Sequence, residues 1–104
     1  MAIMGIDIGS TGSKCCVYSE TGILLAEAYQ EYQSKTEGGT YEIGADQVWE
    51  GTKCAIQQAV CGIPDISAAA LTSFGESFVL LDEADRPLTS FMLYSDNRGI
   101  EESL

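Results

Sequence analysis

A chain of 104 residues with 45% apolar content can bury one modest core, and sixteen acids against five Lys and Arg leave a net charge of −11. That balance excludes polyanionic partners, since nucleic acid and anionic membrane surfaces would both be repelled. The absence of histidine removes imidazole acid–base chemistry and the commonest metal ligand.

Met1 to Ile8 reads as a buried strand with apolar residues on both faces, and Lys14 to Ser19 as a second strand. Between them stand the small residues Gly9-Ser10-Thr11-Gly12-Ser13. Such a turn has little side chain to hold a phosphate away from its backbone N–H groups. Successive amides there make a concave anion site, and Lys14 adds a point charge. Asp7, at the rim of the first strand, would repel a phosphate and is better suited to Mg²⁺ or its water shell. On residue type alone an ordinary Gly-rich hairpin turn is the alternative. No Gly-Lys-Ser/Thr occurs, and the turn leads into a second apolar run, Cys15 to Tyr18, so neither the P-loop nor the dinucleotide fingerprint applies.

Glu20-Thr21-Gly22 reads as a turn and Ile23 to Tyr32 as a third strand, which makes an antiparallel meander. Ser34 to Gly39 is a polar loop, and Tyr41 and Ile43 form a short extended piece. From Asp46 to Cys61, Val48, Trp49, Thr52, Ala55, Ile56, Ala59 and Val60 recur at helical spacing, with Gly62 and Pro64 as the stop. Trp49 is assigned to the core on that pattern. Ile66 to Ser73 has the length and composition of a buried parallel strand after a helical crossover. Phe78 to Leu81 and Thr89 to Tyr94 are expected to pair as a hairpin around the acidic turn Asp82 to Pro87, and a helix begins near Asp96. The expected architecture is therefore α/β, with a β-β-β-α-β core plus a β-hairpin in a single domain over residues 1–104.

Cys15 and Cys16 are adjacent and would point to opposite faces of a strand, and Cys54 and Cys61 are seven apart, which is no metal-ligand spacing. They read as free thiols packing as small hydrophobes in a cytoplasmic protein. The first apolar run is short and is broken by Asp7, so it does not read as a signal peptide, and no stretch is long enough to span a bilayer.

A second constellation, Thr72-Ser73-Phe74-Gly75-Glu76-Ser77, closes the fourth strand, at the end where α/β proteins usually bind ligands. Glu76 can accept hydrogen bonds from adjacent hydroxyls of a polyol, or can be a turn glutamate facing water. Tyr94 and Asp96 can cover and orient a sugar, or serve as rim packing and as a helix N-cap.

The ordered set of motifs resembles the N-terminal part of the FGGY carbohydrate kinases, the group containing xylulokinase, glycerol kinase and gluconokinase. The resemblance rests on Gly5 to Lys14, on Trp49, on Thr72 to Asp82, and on Arg86-Pro87-Leu88 through Leu93 to Arg98. It implies the RNase H-like fold of the actin, Hsp70 and sugar kinase superfamily, here as a partial domain, and transfer of the ATP γ-phosphate to a sugar hydroxyl. By that resemblance Asp7 handles Mg²⁺ and the transferring phosphate. Gly9, Ser10, Thr11, Gly12, Ser13 and Lys14 bind the nucleotide, and Gly75, Glu76, Tyr94 and Asp96 the sugar or polyol. Three positions depart from relatives: Gly12 replaces a hydroxyl residue, Gly75 an arginine of glycerol kinase, and Tyr94 the usual tryptophan. The catalytic base, the second phosphate loop and the adenosine site are implied to lie outside this chain, so the piece alone should be inactive and self-associating. An ATPase activator of the 2-hydroxyacyl-CoA dehydratase type, similar in the first motif, and a non-catalytic truncated paralogue are the competing readings.

Overall fold

A computed structural model describes residues 1–32, 35–37, 40–75 and 77–92. Strands β1 (Ala2–Ile8), β2 (Gly12–Ser19) and β3 (Leu24–Glu31) form the expected antiparallel meander. Two further strands, β4 (Lys35–Glu37) and β5 (Thr40–Ile43), precede helix α1 (Ala45–Val60), which is followed by β6 (Ile66–Ser73) and the short β7 (Phe91–Met92). The main sheet has the order β3-β2-β1-β6, with β6 parallel to β1 as the crossover rule requires.

Helix α1 starts at Gly44, whose N–H donates to Gln47 Oε1 at 3.1 Å. It lies mainly on β2 and β3. Val48, Gly51, Thr52, Ala55 and Ala59 form its buried stripe. Ala55 and Ala59 meet Ala2, Cys15 and Val17 in one core cluster. Tyr32, Ile43 and Val48 form a second, with Ile8 and Phe74 packed against it. The four cysteines are free thiols, and burial pushes the Cys15 thiol up from its ordinary pKa, with Cys16 adding to the rise. Among the described residues no helix is long and apolar enough to cross a membrane.

Several expectations need correction. Trp49 is not core: it is 58% exposed, one residue off the buried stripe, with the Lys53 ammonium 5.9 Å from its ring centre. Strand β6 pairs as expected but is not buried, because it is the sheet's edge and α1 covers its neighbours instead; Leu71 is 64% exposed. Lys35 to Glu37, expected within a loop, is a strand paired with β5, and the Gly38-Gly39 pair between them is a hairpin signal that the polar composition obscured. Phe78 to Leu81 forms no extended ladder; the segment meets Pro87 to Thr89 through an antiparallel bridge from Leu81 to Pro87, flanked by Leu88 N–H to Leu80 O at 2.7 Å and Asp82 N–H to Arg86 O at 2.9 Å. Leu80 N–H goes to Thr89 Oγ1 at 3.2 Å instead of to the Leu88 carbonyl that would extend the pairing, so the ladder stops there. Around the acidic turn the two segments therefore meet as a short hairpin, while β7 lies antiparallel to β5 in the sheet β4-β5-β7.

The acidic turn is built around Asp82. Its carboxylate accepts from the N–H groups of Ala84 (2.8 Å) and Arg86 (2.9 Å) and from Arg86 Nε (3.0 Å). The Arg86 backbone N–H is the main influence holding this half-buried carboxyl below its ordinary pKa.

Candidate functional site

Asp7 is the last residue but one of β1 and stands opposite Lys14 on β2 and Thr72 on β6. Directly paired residues share a sheet face, so the three side chains lie side by side on the face away from α1. Thr72 Oγ1 donates to Asp7 Oδ1 at 2.9 Å, which fixes the carboxylate while leaving it exposed. Lys14 reaches back along the sheet to Glu27 Oε2 at 3.8 Å; both partners are about half exposed, so this pair contributes little stability.

The turn between β1 and β2 closes with Gly9 N–H on Gly12 O at 3.0 Å. Ser10 is half-buried and Thr11 is exposed at the tip. Two tyrosines of the β3 segment hold it. Tyr32 Oη donates to Gly9 O, and Tyr32 N–H to Thr11 O at 3.1 Å. Tyr29 Oη lies 3.2 Å from Thr11 Oγ1. Gly12 is a glycine of necessity: a Cβ there would stand 2.6 Å from Gln30 O and closer still to the Tyr29 hydroxyl. Burial raises the Tyr32 phenol above its ordinary pKa, so it remains a donor to the turn through the neutral range.

Helix α1 props the turn from below. The Tyr32 ring rests on Gly51, where a Cβ would come within 2.7 Å of Tyr32 Cδ1. Ser13 is fully buried and its hydroxyl lies 2.7 Å from Thr52 Oγ1. Thr52 spends its own proton on Val48 O at 2.8 Å, so Ser13 is the donor. The Ser13 side chain thus secures the turn and is turned away from any ligand in front of it.

Of the expected site residues, Asp7, Gly9, Ser10, Thr11, Gly12 and Lys14 come together at one sheet end. Gly75 joins them: Phe74 N–H donates to Ile8 O at 2.8 Å, which carries β6 alongside β1 up to the turn. The space beside the Gly75 Cα is open. Glu76, Tyr94 and Asp96, with the helix expected from Asp96, lie outside the described residues. Sequence reasoning gave no role to Tyr29, Tyr32, Gly51 or Thr72. A signal existed for one of them, since glycine within a helical apolar stripe usually marks a close approach.

A family model described as the FGGY family of carbohydrate kinases, N-terminal domain, matches residues 2–103. A glycerol kinase of Nostoc sp. is 31% identical over 102 residues, covering 92% of this chain and 20% of that protein. A gluconokinase of Bacillus licheniformis is 30% identical over 100 residues, covering 93% and 20%. Among solved structures, gluconate kinase from Lactobacillus acidophilus superposes with a TM-score of 0.90 at 24% identity, over 97% of this chain and 21% of that one. Xylulose kinase from Rhodospirillum rubrum gives 0.90 at 20% identity, over 98% and 22%. The chain therefore spans about a fifth of the length of these proteins. At such identities the structural likeness speaks to the fold, an α/β partial domain of the sugar kinase type.

Proposed function

The chain belongs to the FGGY family of carbohydrate kinases, and from that premise we propose that residues 1–104 are the N-terminal part of the first domain of an ATP-dependent sugar or polyol kinase. The observation that carries the reading is the joint placement of Asp7, Lys14 and the Thr11 hydroxyl around one turn, with Asp7 held by Thr72. The turn takes the terminal phosphates of ATP on its amides and on Ser10 and Thr11, and Lys14 supplies charge once it leaves Glu27.

Asp7 would hold Mg²⁺. Among the described residues no three acids or thiols gather into a metal cage. A single exposed carboxylate nevertheless fits this ion, which keeps most of its waters and shares substrate phosphates. When bound, it neutralises charge on the transferring phosphoryl group. Gly75, Glu76, Tyr94 and Asp96 are assigned to the sugar side by the family resemblance, and of these Gly75 follows β6 beside the phosphate turn. The catalytic base belongs to a part of the kinase outside this chain, so the piece alone does not turn over.

A net charge of −11 supports small-molecule partners over nucleic acid or a membrane surface, and four free thiols suit the reducing cytoplasm. The exposed apolar residues of the sheet, Ile3 and Leu71 among them, support self-association of the isolated piece.

The test uses the full-length protein. ADP formation should depend on added polyol, ketose or aldonate, and Asp7→Ala should lower turnover by about 10²-fold or more while sugar affinity is kept. Sugar-independent hydrolysis would favour the ATPase-activator reading, and unchanged turnover in Asp7→Ala would remove Asp7 from the chemistry.

A further inference from the structure

Four strands each place one polar side chain in a row across the open sheet face: Thr72 on β6, Asp7 on β1, Lys14 on β2 and Tyr29 on β3. The first three belong to the site described above. Tyr29 has had no part in it beyond steadying the turn, yet its placement is unlike that of a packing residue. It lies in neither core cluster and is 51% exposed. It pairs directly with Lys14, which puts the two Cβ atoms about 5 Å apart on the same face. Its ring occupies the space that a side chain at residue 12 would need, and its hydroxyl ends 3.2 Å from Thr11 Oγ1.

We propose that Tyr29 is a nucleotide-phosphate contact: its hydroxyl joins Thr11 at the mouth of the turn and donates to a terminal phosphate oxygen of ATP. The inference rests on the phosphate-turn reading given above. The tip has two hydroxyls of its own, on Ser10 and Thr11, and Gly12 contributes none. Tyr29 brings a third from the neighbouring strand, through space that only a glycine leaves open. A phenol is suited to this task, because it is a neutral donor that adds no charge to a chain already carrying −11. Between Thr11 and Tyr29 either hydroxyl can be the donor, and a bound phosphate would replace that mutual bond, taking both protons onto its own oxygens.

The substitution Tyr29→Phe removes the hydroxyl and keeps the ring against Gly12, so the fold is preserved and the melting temperature should hold. In the full-length protein, calorimetric titration should show ATP binding weakened about tenfold, the usual size for a lost bond to a charged group. AMP, which lacks the outer phosphates, and the sugar should bind as in the parent protein. Equal weakening of ATP and AMP would overturn the proposal and leave Tyr29 a structural residue. Parent-like ATP affinity in Tyr29→Phe, alongside a clear loss in Lys14→Met, would also overturn it while the phosphate turn stands. If neither variant alters ATP binding, the turn is not the phosphate site and both readings fall.

Discussion

Tyr32 does two jobs with one side chain, since its ring is buried over α1 while its hydroxyl donates to Gly9 O in the turn. The donor is lost when the phenol ionises, and burial raises the folded pKa above that of the unfolded chain. The sign follows from linkage: the stabilisation is complete below the ordinary tyrosine value, about 10, and is lost as pH rises through the higher folded value. Comparing denaturant midpoints of the parent and Tyr32→Phe across pH 7 to 11 should therefore show a gap of about 1 kcal/mol at neutral pH that closes on the alkaline side. A gap independent of pH would mean that the hydroxyl is not the stabilising group. The Asp7–Thr72 bond belongs to the same scale and could not be read from the chain. The two residues are far apart in sequence, and only the parallel register of β1 and β6 makes them neighbours.

At the scale of the element, α1 shows why a helix can carry a residue that propensity disfavours. Replacing a mid-helix glycine by alanine ordinarily stabilises by about 1 kcal/mol. At Gly51 the new methyl would meet the Tyr32 ring at 2.7 Å, against a side chain fixed by burial and by the turn. Gly51→Ala is expected to destabilise instead, by roughly 1–3 kcal/mol as for other overpacked sites. Thermal melting checks the sign, and a raised midpoint would show that Tyr32 can yield. Elements whose evidence is a local pattern were legible: β1 to β3, α1 to within a residue at each end, and the parallel return of β6. Burial was less so, because it depends on what covers an element. The apolar repeat that predicts α1 also takes in Trp49, yet the sheet lies under Val48, Thr52 and Ala55, and Trp49 faces outward. Pairing partners were hidden for a similar reason: β7 pairs with β5, far from it in the chain, and no local pattern names that partner.

For the molecule as a whole, the main sheet has α1 on one face, while Ile3, Gly5, Tyr18 and Ala68 to Ala70 line an apolar groove on the other. Strand β6 stands at the edge of that sheet with its alanines exposed. Unpaired edges and apolar faces of this kind promote association. Light scattering on the isolated 104-residue chain is expected to report concentration-dependent oligomers at neutral pH, and a monodisperse monomer through the high-micromolar range would contradict this. Legibility at this scale followed from the order of motifs along the chain: Asp7 to Lys14 first, then the helix, then the Thr72 stretch. The support beneath those motifs from Tyr29 and Tyr32 was hidden, since each acts across strands, whereas Gly51 and Thr52 lay on the legible helical stripe but nothing local named what they support.

The small cluster of Tyr32, Ile43 and Val48, with Ile8 and Phe74 against it, has a consequence for coupling. Through Tyr32 it is the footing of the turn between β1 and β2, and through Phe74 it is the footing of the stretch that leads to Gly75. Both segments rest on this one cluster, so a substitution that loosens its packing is expected to reach both rather than one. On the proposed assignment, the nucleotide and sugar sides would then stand on a single packed footing, and a change at one would be felt at the other.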